Sequence, residues 1–365
     1  MGSHRVVGNV DYYTNDSRRA SHKTLPMTKD QRLDELQGWL RTMPAGYGLR
    51  TESLRVASDD ASFRRYFRVD AAGTTMIAMD APPPHEDCRA FVHAAQVLGE
   101  AGLSVPTVHE ADLERGFLLL RDLGTRTYLD ELSAATAPRL YGDALTALTR
   151  LQEASRGGVF PDYDRVLLER ELMLFPRWYI ARHRGVELEA ADQQVIARTF
   201  ETLLANLLSQ PKTYVHRDYH SRNLMVLAGA DNPGVLDFQD AVYGPITYDL
   251  VSLLRDAYVV WPEEQVIDWA VRYWEMARRA KLPVHDDFGA FYRDFEWMGL
   301  QRHLKVLGIF ARLNYRDGKS RYLADLPLVL EYVERTARRY VAFTPLMRLI
   351  ERVEGRAQPT AGYTF

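Results

Sequence analysis

Three oxygen-bearing side chains stand out between Tyr214 and Leu250: Asp218, Asn223 and Asp237. The stretch reads Y-V-H-R-D-Y-H-S-R-N-L-M-V-L, then a turn rich in Gly, Asp, Asn and Pro, then V-L-D-F-Q-D and G-P-I-T-Y-D-L. Amide and carboxylate oxygens suit hard cations. Magnesium is commonly held by one or two protein groups, with phosphate oxygens and water completing its octahedron. Asn223 and Asp237 fit that need, and Asp218, upstream on a loop, is placed to accept a proton from an incoming hydroxyl. Phosphoryl transfer chiefly needs positioning and charge neutralisation, and this small set supplies both.

A hairpin must position them. Leu224–Leu227 and Val235–Phe238 are apolar runs around the turn, which predicts a β-hairpin with Asn223 at its start and Asp237 at its end. Taken singly, each residue has an ordinary explanation as a turn, loop or strand-end residue. Their joint spacing is what points to chemistry. His216 is expected to be a buried histidine that shapes the loop.

The rest of the chain predicts an α+β protein. A short amphipathic helix is expected over Asp30–Trp39, strands over Ser62–Val69 and Thr74–Met79 joined by an Ala71-Ala72-Gly73 turn, a helix over Glu86–Ala101 stopped by Gly102, and a buried strand over Phe117–Leu120. After Gly124 the pattern turns helical, with Leu300, Leu304, Leu307 and Phe310 forming one apolar stripe. The expected division is a polar segment 1–27, a disordered tail or cloning remnant opening M-G-S-H; a β-rich unit 28–123; and a helical unit 124–365 carrying the catalytic loop.

Composition excludes several classes. The 365 residues are 46% hydrophobic and 26% charged, with a formal net charge of −3 and scattered basic residues, so no nucleic-acid partner is expected. Cys88 is the single cysteine, which excludes an intrachain disulfide. No run approaches the ~18 apolar residues of a membrane span, and no signal-peptide pattern opens the chain. These features predict a cytoplasmic protein without a membrane partner. They set no oligomeric state.

H-R-D-x-x-x-x-N followed by D-F resembles the catalytic and metal-binding pair of protein-kinase-like folds. The G-P-x-x-Y-D-L continuation, without D-F-G or A-P-E, resembles the aminoglycoside phosphotransferase branch, whose members phosphorylate small molecules. That resemblance implies a bilobal fold, ATP and Mg2+ as cofactors, Asp218 as catalytic base, Asn223 and Asp237 as magnesium ligands, and Asp249 as a structural acid. On the nucleotide side it implies a phosphate-covering loop at Ser58–Ser62, with Ser62 as a phosphate contact, and adenine bonding by the backbone of Leu120, Arg121 and Asp122. The strand that carries the family's lysine instead offers Met79 or Asp80, and no lysine lies between Lys29 and Lys212. Arg64 or Arg65 is the expected substitute; alternation allows only one of them to face inward.

The segments D-A-S-F-R-R-Y-F-R-V, M-D-A-P-P-P-H-E-D-C-R-A-F and L-R-D-L-G-x-R-T-Y resemble a narrower subgroup, bacterial amino-sugar kinases of cell-wall recycling. The resemblance implies phosphorylation of the anomeric hydroxyl of N-acetylmuramic acid and N-acetylglucosamine. Arg217 and Arg222 beside Asp218, with Tyr219, His220, Gln239 and Asp240, suit a neutral or anionic sugar better than a polycation. Arg177 is a further candidate substrate contact, with Trp178 beside it. The alternatives are a kinase for another small alcohol or an aminoglycoside, and a pseudokinase binding module, the latter motivated by the missing lysine.

Overall fold

The computed structural model describes residues 30–58, 63–83 and 85–356. The expected tail at 1–27 and the expected phosphate contact Ser62 lie outside these residues. The described residues divide into two compact units: one holds those of 30–126 together with Met225–Gln239, the other Thr127–Leu224 and residues 240–356.

The first unit runs α1 (Gln31–Leu40), β1 (Arg50–Ser58), β2 (Arg65–Ala71), β3 (Thr74–Asp80), α2 (Cys88–Glu100), β4 (Val108–Asp112) and β5 (Phe117–Arg121). The five strands form one antiparallel sheet in the order β1-β2-β3-β5-β4. Period-two alternation sends Phe67, Val69, Met76, Ala78, Phe117 and Leu119 to one face, where Leu36, Trp39 and Leu40 of α1 cover them. Asp80 continues that face of β3. It is fully buried and takes the guanidinium groups of both Arg32 and Arg65, while Arg65 also bonds Asp30, the N-cap of α1. An ion cluster therefore ties α1 to the sheet. α2 starts at the Asp87 cap, whose carboxylate accepts the Arg89 N–H, and buries Phe91, Ala94, Ala95 and Leu98.

The second unit is mainly helical: α3 (Tyr128–Glu131), α4 (Ala137–Glu153), α5 (Arg165–Leu172), a π-helical run Phe175–His183, and α6 (Ala190–Ser209). In sequence there follow β6 (Lys212–Val215), then β7 (Leu224–Met225) and β8 (Gly234–Val235), of which Met225 onward groups with the first unit, then β9 (Val242–Pro245), α7 (Tyr248–Leu254), α8 (Glu263–Arg279), α9 (Phe288–Tyr315), α10 (Leu326–Arg339) and α11 (Thr344–Val353) of the second. β6 pairs antiparallel with β9. α9 is buried almost all round, from Phe291 to Leu313. No helix among the described residues is long and apolar enough to cross a membrane.

The hairpin expected over Leu224–Leu227 and Val235–Phe238 is shorter, since only β7 and β8 pair. Its neighbouring backbone groups go elsewhere: the Val226 N–H to the Arg126 carbonyl at 2.9 Å and the Val235 N–H to the Ser104 carbonyl at 2.7 Å. Phe238 adds a ring contact with Phe91 of α2 at 4.9 Å. These contacts explain why 225–239 groups with the β-rich unit, apart from the helices on either side of it in sequence.

Candidate active site

The loop of Asp218 leaves β6 at Val215 and reverses through Arg217, whose φ of 76° lies in the left-handed region. A non-glycine residue there stores on the order of 1–3 kcal/mol and persists only where its surroundings over-determine it. Asp249, in the first turn of α7, accepts the His216 N–H at 2.6 Å on one carboxylate oxygen and the Arg217 N–H at 3.0 Å on the other. Arg302 of α9 donates Nη1 to the Arg217 carbonyl at 2.8 Å. The strained residue is thus held from both sides. Burial pushes Asp249 up to about 7, against the lowering effect of the two N–H bonds.

The rest of the loop is held from within. His216 Nδ1 accepts the Asp218 N–H at 3.3 Å, and the Asp218 carbonyl accepts the His220 N–H and Asn223 Nδ2, each at 3.0 Å. The last bond commits the amide nitrogen of Asn223; its Oδ1 is the hard, metal-type oxygen of the side chain. The Asp218 carboxylate has Arg302 Nη2 at 3.8 Å and keeps 16% of its side chain exposed. Burial acts to raise its pKa, but the charges of Arg302, Lys305 and Arg217 help hold it below the ordinary aspartate value. Asp218 is a carboxylate at neutral pH, able to accept a proton.

Two expected substrate contacts are corrected. Arg217 is fully buried, and its guanidinium pairs with the buried Glu171 and lies over Tyr163. Tyr219 is fully buried and donates its hydroxyl to the Ala144 carbonyl at 2.8 Å. Both side chains hold the fold beneath the loop. His220 is buried, and desolvation lowers it to about 3, so the ring is neutral. Asp240 lends its backbone carbonyl to Arg217 Nη1 at 3.5 Å, and Arg177 is exposed on the π-helical run.

In the β-rich unit, Asp237 follows β8 with a φ of 62°, a conformation aspartate tolerates better than most residues, and Gln239 Nε2 donates to its Oδ1 at 2.9 Å. Asp237 thus belongs to a different compact unit from Asp218 and Asn223. The nucleotide-side expectations divide. Arg65 is taken up by Asp80 and Asp30, which removes it as the lysine substitute. Arg64 is buried, with Nε 3.7 Å from Glu86 just ahead of α2. Leu120 lies in β5 with β3 on one side and β4 on the other, and the Arg121 N–H goes to the Thr107 carbonyl at 2.9 Å. That bond engages the Arg121 N–H within the sheet edge. The Asp122 carboxylate is engaged by Arg68, by the Thr75 hydroxyl at 2.6 Å and by the Gly124 N–H at 2.9 Å.

Sequence reasoning missed Arg302, Lys305, Glu171 and Asp256. Glu171 collects Arg217, the Tyr163 hydroxyl, Gln301 and Lys305 Nζ at 3.8 Å. Asp256 accepts the Ser221 N–H at 3.0 Å and the Ser221 hydroxyl. A signal for two of them existed: Arg302 and Lys305 stand three apart among the apolar stripe Leu300, Leu304 and Leu307, a placement that asks for buried partners.

As for magnesium, the candidate donors are an amide oxygen and a carboxylate, the hard oxygen set it prefers. No cluster of three or more His, Cys, Asp or Glu residues suited to a metal occurs among the described residues.

Residues 53–287 match the phosphotransferase enzyme family. Over 342 residues the chain is 46% identical to an N-acetylmuramate/N-acetylglucosamine kinase of Pseudomonas putida, covering 90% of this chain and 98% of that protein. It is 47% identical over 340 residues to a protein of the same description from Neisseria meningitidis serogroup B, covering 92% and 100%. Among solved structures, an aminoglycoside phosphotransferase in complex with gentamicin aligns at a TM-score of 0.56 with 14% identity, covering 84% of this chain and 97% of that one. A choline/ethanolamine kinase family protein from Mesorhizobium loti aligns at 0.55 with 16% identity, covering 88% and 99%. These two share the fold: an antiparallel β-rich N-terminal part and a helical C-terminal part. With most of its length matched by that family, the chain belongs to the phosphotransferase enzymes.

Proposed function

We propose that this chain transfers the γ-phosphoryl group of ATP to the anomeric hydroxyl of N-acetylmuramic acid and N-acetylglucosamine, giving the sugar 1-phosphate and ADP. The observation that carries the reading is the loop around Asp218, an ionised carboxylate on a backbone held by Asp249 and Arg302, in a chain 46–47% identical along nearly its whole length to kinases described for these sugars. Asp218 takes the proton of the C1 hydroxyl as the sugar oxygen bonds the γ-phosphorus and the bond to the ADP oxygen breaks. Asn223 Oδ1 and the Asp237 carboxylate are the groups suited to hold magnesium, which when bound neutralises charge on the nucleotide phosphates. Gln239 orients the Asp237 carboxylate. On the nucleotide side, buried Arg64, steadied by Glu86, takes the part of the absent lysine. His220, Asp240 and Arg177 stand as candidate sugar contacts.

The test is product identity. Purified enzyme with ATP, magnesium and either sugar is expected to yield a non-reducing, acid-labile phosphate whose phosphorus signal couples to the anomeric proton. Phosphate on C6 rejects the anomeric assignment. Turnover of choline or kanamycin, with none of either amino sugar, rejects the substrate class.

A further inference from the structure

The two arginines that flank the base have opposite fates. Arg217 is paired with Glu171 and sealed in the core. Arg222 is half-buried and makes neither a hydrogen bond nor an ion pair among the described residues; its guanidinium rests over the Tyr258 ring at 5.3 Å. A neighbouring carboxylate, Asp256, is already engaged, one oxygen by the Ser221 N–H and hydroxyl and the other by the Tyr258 N–H at 3.1 Å. Arg321 adds a second positive charge to the surroundings of Arg222, while Asp256 attracts it without contact. A partly desolvated cation with no anion in contact gains when a ligand brings one within hydrogen-bond distance.

A second polar group points the same way. His220 packs edge-on against the same Tyr258 ring, with centroids 5.4 Å apart. It is only 7% exposed, and its Nδ1 has no hydrogen-bond partner among the described residues. Buried polar atoms of this kind normally have a partner. Tyr258 therefore carries an unmatched imidazole nitrogen and an unmatched guanidinium on the loop of Asp218.

The two proposed acceptors differ by one group. N-acetylmuramic acid carries a lactyl ether on O3 that ends in a carboxylate, and N-acetylglucosamine has a hydroxyl there. Resting on the proposed function, we infer that Arg222, braced by Tyr258, is the carboxylate subsite of the sugar site, with His220 bonding a neutral oxygen of the sugar beside it. The planar guanidinium fork matches a carboxylate in a way that a lysine does not.

The test compares kcat/KM for the two sugars in wild type, Arg222→Gln and Arg222→Lys. In Arg222→Gln the ratio of N-acetylmuramic acid to N-acetylglucosamine is expected to fall on the order of 10- to 100-fold, mainly through KM, with part recovered in Arg222→Lys. The carboxamide of N-acetylmuramic acid, given to the wild-type enzyme, should lose the same preference; this measurement depends on no variant folding. An unchanged ratio, or a rise in the KM for ATP that is equal with both sugars, overturns the subsite and assigns Arg222 to the nucleotide or the loop. A wild-type enzyme that phosphorylates neither sugar overturns the functional reading, and the subsite with it.

Discussion

Asp249 steers the Asp218 loop through its backbone: its two oxygens hold the peptide groups that turn the loop at Arg217. Asp249→Asn keeps the shape but offers one accepting oxygen, and it sets an NH2 against a backbone N–H. We expect a stability loss of about 1–3 kcal/mol by denaturant titration. We also expect kcat to fall further than KM rises, since the loop would hold Asp218 less well. Asp218→Asn retains the loop and removes the proton acceptor. Its kcat should fall by roughly 10²- to 10⁴-fold with the melting temperature nearly unchanged, and wild-type turnover in that variant would remove Asp218 from its assigned part.

At the scale of elements, the loop rests on α9, which must approach its neighbours closely. Gly308 of α9 lies against Leu174 at the start of the π-helical run; a Cβ there would meet the Leu174 carbonyl closer than real Cβ atoms approach backbone. Gly308→Ala is expected to cost about 1–3 kcal/mol in urea unfolding, because backbone on both sides has to shift. Arg302 and Lys305 precede it on the same helix, so turnover in this variant should fall as well. The stripe Leu300, Leu304, Leu307 marks this helix in the sequence. The stripe does not reveal that the opposite side is buried too, since a helix with charges between its leucines reads as half-solvated until its partners are known.

For the whole molecule, acid sensitivity is set partly by histidines buried in neutral form. His303 is fully enclosed, donates Nε2–H to the Arg255 carbonyl at 3.0 Å and stacks on Tyr332; burial lowers it to about 3. Unfolded, it binds a proton near pH 6.5; folded, it does not until about pH 3. Its contribution is therefore intact above pH 6.5 and declines as the pH falls toward 3, with a slope of up to ~1.4 kcal/mol per unit. His303→Gln should flatten the stability profile between pH 6 and 4 relative to wild type. Parallel profiles would show that other groups control acid unfolding.

The sequence by itself determined the α+β class, the order of β-rich and helical parts, and the phosphotransferase family, because hydrophobic periodicity and one short spacing of oxygen-bearing residues are local properties. It also carried the candidate base and metal donors. Tertiary structure alone decided which of two neighbouring arginines is sealed in an ion pair and which makes none among the described residues. It took Arg65 into the α1 tether and left Arg64 beside Glu86, and it assigned Tyr219 to the core. It also brought Arg302 and Glu171 to the loop from remote parts of the chain. The physical reason is that a side chain's role depends on the charges and carbonyls that surround it after folding, and those partners come from residues tens of positions away in sequence.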